Sequence, residues 1–180
     1  ISATSSPFLG FPAMLNSKPS IGLGTWKMRG KECEAAVALA LELGYRHIDT
    51  ADVYENHHAI GKAIQGFPRN QLYLTTKAAY HNLLPAQVHE SVPRFLKELN
   101  TDYIDLLLIH WPHADVNMAD TLQAMQHYQQ QGIVRHIGVS NFVRAHLAIL
   151  SPYYFPLVTV HFWLLHYLHR RAYVKSLPQT

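Results

Sequence analysis

The sequence predicts an α/β fold in which a parallel sheet winds toward a (β/α)8 barrel, left incomplete at about six strands and five to six helices. Three observations carry this reading. Strand-like and helix-like segments alternate strictly along the chain, which calls for a parallel sheet with right-handed crossovers. One strand-like run, Ile104 to Ile109, is apolar throughout except for Asp105, as suits a strand buried on both faces. Successive runs end on titratable residues: Asp49 (with Tyr54 five residues on), Lys77 and His110. These ends recur at about one strand plus one helix. A barrel gathers its strand ends on one face, where its chemistry sits. An open doubly wound sheet competes with the barrel, but it usually carries a glycine fingerprint after its first strand. Here Gly22-Leu23-Gly24-Thr25-Trp26 offers two glycines followed by a bulky indole.

Each element has its own signal. Residues 20–23 read as the first strand. Lys31 to Leu43 has apolar residues at Ala35, Ala36, Leu39, Ala40 and Leu43, a helical period, and Gly44 stops it. Residues 46–49 form strand two, 57–65 a short helix and 72–77 strand three. Pro85 opens a helix running to Leu99, since proline suits a first helical position. Strand four spans 104–109. Asp120 to Gln131 is helical and ends at Gly132. Ile133 to Val139 is strand five, 143–150 a short helix and 157–160 strand six. An N-terminal segment over 1–19 thus precedes a partial TIM-type barrel over 20–180.

Composition excludes several classes. Hydrophobic content of 48% against 15% charged describes a core-forming chain, not a disordered one. The net charge is +3, with basic residues scattered and only Arg170-Arg171 adjacent, so no nucleic-acid partner is expected. No apolar run reaches membrane-spanning length. Residues 1–15 lack the basic start of a signal peptide. The lone Cys33 excludes an internal disulfide and fits a reducing, cytoplasmic setting. The 13 histidines show no recognised metal spacing, and His57-His58, His161, His166 and His169 read as ordinary polar positions. The chain starts at Ile1 rather than Met, which reads as a fragment.

A carboxylate, a phenol, an ammonium and an imidazole at one sheet end make a proton-transfer set. Taken alone, each has a plainer reading: Asp49 a turn former, Tyr54 packing, Lys77 a solvated cation, His110 a core histidine. Their order and neighbours decide. Gly44-Tyr45-Arg46-His47-Ile48-Asp49-Thr50-Ala51-Asp52-Val53-Tyr54-Glu55-Asn56 resembles the most distinctive signature of the aldo-keto reductase family. Gly22 to Trp26, Leu74-Thr75-Thr76-Lys77, Asp105 to Pro112 and Ile137-Gly138-Val139-Ser140-Asn141-Phe142 are similar to its other motifs, in the same order.

The resemblance covers residues 20 to about 175 and implies an NADPH-dependent oxidoreductase that reduces aldehydes or ketones to alcohols. It implies Tyr54 as proton donor, with Lys77 lowering the phenol's pKa, Asp49 pairing Lys77, and His110 orienting the carbonyl. It implies Thr25, Trp26, Asp49, Ser140, Asn141 and His161 around the NADPH/NADP cofactor, with Trp26, Tyr54, His110 and Trp111 around a small-molecule carbonyl substrate.

The chain departs from the family in five places. It stops before the family's last two strands, which carry much of the cofactor's grip. Val160 and His161 stand where Asn-Gln is usual. His57 replaces the usual Glu or Gln. Pro93 falls inside the helix from Pro85, where a missing N–H costs roughly 3 kcal/mol. The N-terminal segment is shorter than the family's hairpin. An unclosed barrel also leaves open strand edges, worst around 158–165, and makes self-association through them an expectation. The alternative class is a non-catalytic truncated relative, a pseudoenzyme or interaction module lacking a complete cofactor site.

Overall fold

The computed structural model describes residues 21–150 and 157–161. Six parallel strands lie in sheet order identical to chain order. They are β1 (Gly22–Gly24), β2 (His47–Asp49), β3 (Tyr73–Ala78), β4 (Ile104–Ile109), β5 (Val134–Ser140) and β6 (Leu157–His161). Helices α1 (Gly30–Glu42), α2 (His57–Ala63), α3 (Pro85–Leu99), α4 (Met118–Gln130) and α5 (Arg144–Leu150) connect them. Strictly sequential order among neighbours is the barrel arrangement; an open doubly wound sheet would reverse direction at a switch point. The N-terminal segment 1–19 and the apolar stretch beyond His161 lie outside the described residues.

Two apolar clusters flank the sheet. One packs Val88, Val92 and Phe95 of α3 and Leu122 and Met125 of α4 onto Leu107, Ile109 and Ile137. The other joins Cys33, Val37 and Leu41 of α1 and Ile60 of α2 to Ile48, Leu74 and Leu99. All six residues of β4 are buried, as its apolar run requires. Gly61 lets α2 press on the end of α3: a Cβ there would come within 2.6 Å of the Glu98 carbonyl oxygen.

The buried face of α1 differs from the sequence expectation. Cys33, Val37, Ala40 and Leu41 point inward, while Leu39 and Leu43 are 55% and 70% exposed. In a helix so rich in alanine the apolar pattern is wide. The stripe that docks is chosen by its neighbours α2 and β2 rather than by the largest side chains.

At the N-terminal end of the sheet, the buried Asp105 carboxylate is fully engaged. It accepts from Arg69 (2.7 Å), Arg135 (3.1 Å) and the Leu74 amide (2.9 Å). Both guanidinium groups lie over the Tyr103 ring, at 3.8 and 3.9 Å from its centre. The one charge in an otherwise apolar strand thus staples β3, β4 and β5 at the end of the sheet that serves stability.

Helix α3 continues through Pro93 to Leu99. The carbonyl of His89, which would accept from residue 93, takes its hydrogen bond from the Tyr128 hydroxyl of α4 instead (3.2 Å). The same phenol oxygen lies 3.1 Å from His89 Nδ1. Both bonds are satisfied when Nδ1–H donates to the phenol and the phenol donates to the carbonyl. Pro93 itself is exposed. Removing this replacement donor with Tyr128→Phe should cost about 0.5–1.5 kcal/mol in urea unfolding. In a Pro93→Ala background, which restores the backbone donor, the same change should cost distinctly less. Equal costs in both backgrounds would show that the hydroxyl does not stand in for the missing N–H.

Candidate active site

Parallel register brings the C-terminal ends of β1 to β5 to one side of the sheet. Gly24 pairs with Asp49, Asp49 with Thr75, Ala78 with Ile109, and Ile109 with Val139. The residues just past these ends line a cavity of about 400 Å³: Gly24, Trp26, Asp49, Val53, Tyr54, Lys77, His110, Trp111, Ser140 and Asn141.

Lys77 is the buried centre of the group, 3% exposed. Its ammonium donates to Asp49 Oδ1 at 2.5 Å and to the Thr50 carbonyl at 2.9 Å. Tyr54 ends a 3₁₀ turn, Asp52–Tyr54, immediately after β2. Lys77 Nζ lies 5.6 Å from the centre of the Tyr54 ring. The His110 ring meets Tyr54 edge-on, centroids 5.7 Å apart. The four groups expected at one sheet end are therefore together there.

Their electrostatics differ from expectation at Tyr54. Burial, reinforced by the Asp49 carboxylate, pushes the phenol up to about 12, where Lys77 was expected to lower it. The reason is geometric: Lys77 is already paired with Asp49, so the two together present little net charge to the phenol and desolvation dominates. Tyr54 consequently holds its proton across neutral pH. Burial and the Lys77 charge, opposed by Asp49, push His110 down to about 4. It is a neutral imidazole with one N–H to donate and one nitrogen to accept.

At the end of β5, Asn141 adopts a left-handed backbone (φ 63°), which asparagine tolerates better than most residues. Its amide donates to the His110 carbonyl (2.8 Å) and to Ser140 Oγ (3.1 Å). Both donors are thereby used, and Oδ1 remains to accept from a ligand. Trp26 and Trp111, residues 58% and 47% exposed, line the cavity. Gly24 leaves its side of the cavity clear, since a Cβ there would meet nothing within 4 Å. Among the lining residues, Ser140 and Asn141 offer a hydroxyl and an amide oxygen that fit a carboxamide.

Thr25 does not line the cavity. It is fully buried, and its hydroxyl donates to the Asp49 carbonyl (3.1 Å), tying β1 to β2. The register places His161 of β6 opposite Ser140; its side chain lies outside the described residues.

Two residues were given no catalytic or binding role in the sequence reading. Asn56 is buried; it accepts from Thr50 Oγ1 (2.6 Å) and donates to the carbonyls of Thr25 and Met28 (3.0 Å each). It pins the chain just after Tyr54. Its place at the end of the quoted signature was the available signal. His57 is no loose polar residue: it is 3% exposed, and burial pushes its pKa down. As a neutral ring it donates from Nδ1 to Glu98 (3.0 Å) and accepts at Nε2 from Thr76 (2.9 Å). Among the described residues no cluster of metal-ligating side chains occurs, and no helix is long and apolar enough to cross a membrane.

A barrel sheet with a phenol, an ammonium, a carboxylate and an imidazole around one cavity at its C-terminal end defines a class of proton-transfer enzyme site. Comparison with known proteins makes the class specific. The model of the aldo/keto reductase family matches residues 20–175, and the chain belongs to that family. It is similar to methylglyoxal reductase DkgB of Salmonella typhi, 46% identical over 128 residues, which are 69% of this chain and 48% of that protein. Among solved structures it is similar to the thermostable aldo-keto reductase Tm1743 in complex with the inhibitor epalrestat. The TM-score is 0.75 at 38% identity, over 79% of this chain and 57% of that one. It is also similar to the Bombyx mori aldo-keto reductase in complex with NADP: TM-score 0.73, 35% identity, over 79% and 53% of the two chains. The chain spans about half the length of the curated relatives it matches.

Two outcomes follow from the buried charges. Asp49→Ala should destabilise the protein more than Lys77→Met in urea unfolding. The first strands an ammonium only 4% exposed, whereas the second leaves a carboxylate that is 23% exposed and can rehydrate. Asp49→Ala should approach the about 3–5 kcal/mol of a broken buried pair, and Lys77→Met should fall below it. The reverse order would contradict the burial argument. For His110, whose folded value lies below its unfolded value, the unfolded chain alone binds the proton between about 6.5 and about 4. Stability from this residue is complete above pH 6.5 and is lost as pH falls through that window. A His110→Gln variant should therefore lose less stability between pH 6.5 and 4 than the parent, and two parallel curves would refute it.

Proposed function

We propose that this chain carries the proton-delivery and nicotinamide end of an NADPH-dependent oxidoreductase that reduces small aldehydes or ketones to alcohols. The observation that carries the reading is the Lys77–Asp49 pair beside Tyr54 and His110 in one cavity. The neutral His110 imidazole donates a hydrogen bond to the substrate carbonyl oxygen and so sets its position. When bound, the cofactor supplies hydride to the carbonyl carbon. Tyr54 gives its proton to that oxygen as negative charge develops there, so carbon gains hydride, oxygen gains a proton, and an alcohol leaves. The phenolate left behind lies beside the Lys77 ammonium, which favours it only at the moment the charge appears. Ser140 and Asn141 hold the carboxamide, and Asn141, through the His110 carbonyl, couples that hold to the substrate's hydrogen-bond donor. Trp26 and Trp111 give the cavity aromatic walls, which suit aromatic or aliphatic aldehydes. A buried, unpaired Cys33 is in keeping with a reducing, cytoplasmic setting.

The test follows NADPH consumption by the purified protein with a reactive aromatic aldehyde, alongside NADPH binding by fluorescence. Tyr54→Phe should lower the rate by about 10²–10⁴-fold while leaving NADPH binding nearly unchanged. Full activity in Tyr54→Phe would overturn the assignment of the proton donor. Consumption of NADPH independent of any carbonyl would overturn the reaction class.

A further inference from the structure

A second cavity, of about 430 Å³, lies behind the turn that carries Tyr54. Val53 lines both cavities, so the Asp52–Tyr54 turn is the wall between them. On the active-site side the wall presents Tyr54. On the rear side it presents Asp52, whose carboxylate is only 9% exposed. That carboxylate accepts from Arg94 of α3 at 2.8 Å and from Asn82, in the loop after β3, at 3.2 Å. Arg94 also reaches Glu98 one turn on, at 3.3 Å, and Glu98 accepts from His57, which holds Thr76, the residue before Lys77.

From this geometry we infer that Arg94, acting through Asp52, is a positioning residue for Tyr54. The inference rests on the reading of Tyr54 as proton donor. The turn is too short to hold itself. It contains three residues and closes through the Tyr54 amide to the Ala51 carbonyl and the Glu55 amide to the Asp52 carbonyl. Glu55 follows in a left-handed conformation, φ 54°, so the chain reverses sharply there. Two largely buried anchors bracket the phenol, beside an exposed Arg29–Glu55 pair at 3.0 Å. Asn56 pins the far side to the interior. Asp52 pins the near side to the helical layer, and α3 is the element that supplies its charged partner. Release of Asp52 frees the turn to move toward the rear cavity and carries the phenol away from Lys77 and His110. Proton transfer depends steeply on such distances, and a shift of about 1 Å can cost about 10²-fold. The Arg94 guanidinium is 41% exposed and can rehydrate, so neutralising Asp52 leaves no buried charge and costs little global stability, whereas removing Arg94 alone strands a carboxylate 9% exposed. A large effect on the phenol with a small effect on unfolding is the signature of positioning.

The experiment compares Arg94→Met, Asp52→Asn, their double variant and Arg94→Lys, each with three readouts. The first is the His110 ring resonance in cofactor-free protein, which senses the Tyr54 ring packed edge-on against it. The second is kcat and KM for aldehyde reduction. The third is the midpoint of urea unfolding. Arg94→Met and Asp52→Asn should each shift the His110 resonance and lower kcat by about 10–10²-fold with KM little changed. The double variant should be no worse than either single one, Arg94→Lys should recover part of both signals, and the unfolding midpoint should move little in Asp52→Asn and in the double variant, with any loss in Arg94→Met relieved by adding Asp52→Asn. Unchanged resonance and kcat in Arg94→Met overturn the inference. So does additivity of the two single variants, or a loss of kcat matched by a loss of folded protein. If Tyr54→Phe keeps full activity, the proton-donor reading fails, while a shifted His110 resonance in Arg94→Met still supports the clamp.

Discussion

The ammonium of Lys77 is the charge around which this molecule is arranged. An unpaired cation in that position would bear the full cost of desolvation. It persists because β2 lies beside β3 in a register that sets Asp49 against Thr75, two residues before Lys77, so that one carboxylate oxygen and the Thr50 carbonyl meet it. The same register decides where the chain leaves β2, hence where the Tyr54 turn begins. The Thr25 hydroxyl and amide on the Asp49 carbonyl extend the constraint to β1. A slip of one residue between β2 and β3 would bury both charges apart, so the ion pair enforces the register as much as the register forms the pair.

The two ends of the sheet treat buried charge in opposite ways. At the N-terminal end Asp105 meets two guanidinium groups and a backbone amide and is 1% exposed, so it is closed to a ligand. At the C-terminal end the groups are only partly satisfied by one another. The phenol of Tyr54 and the imidazole of His110 stay neutral through burial, and Asn141 keeps an acceptor in hand. Closed networks favour rigidity, whereas open ones leave valences that a substrate can complete. Helix α3 connects the two regimes. Its apolar side packs on the sheet, and its polar edge, Arg94 and Glu98, reaches the back of the Tyr54 turn.

Much of this was legible in the residues. Strand and helix order could be read because apolar period and glycine or proline punctuation are local properties. Pro85 opens α3 and Gly132 follows α4, as each was read to do. The cluster of Asp49, Tyr54, Lys77 and His110 was legible because parallel topology converts strand ends into neighbours. The inward face of α1 was not, since Ala-rich helices carry a broad apolar arc and the partner selects the stripe. Nor was the fate of the His89 carbonyl: Pro93 announces a missing donor, but only the approach of α4 supplies Tyr128 in its place.

The sequence by itself determined which chemical groups exist, in what order, and on which elements, because those follow from composition, periodicity and the one-way geometry of parallel crossovers. Only the tertiary structure decided their state. That Lys77 is neutralised by Asp49 before it can act on Tyr54, that His57 becomes a buried strut between Thr76 and Glu98, and that Arg94 reaches Asp52 across 42 positions of chain all depend on distances between residues remote in sequence. Desolvation and Coulomb attraction act through space, and a linear pattern does not contain those separations.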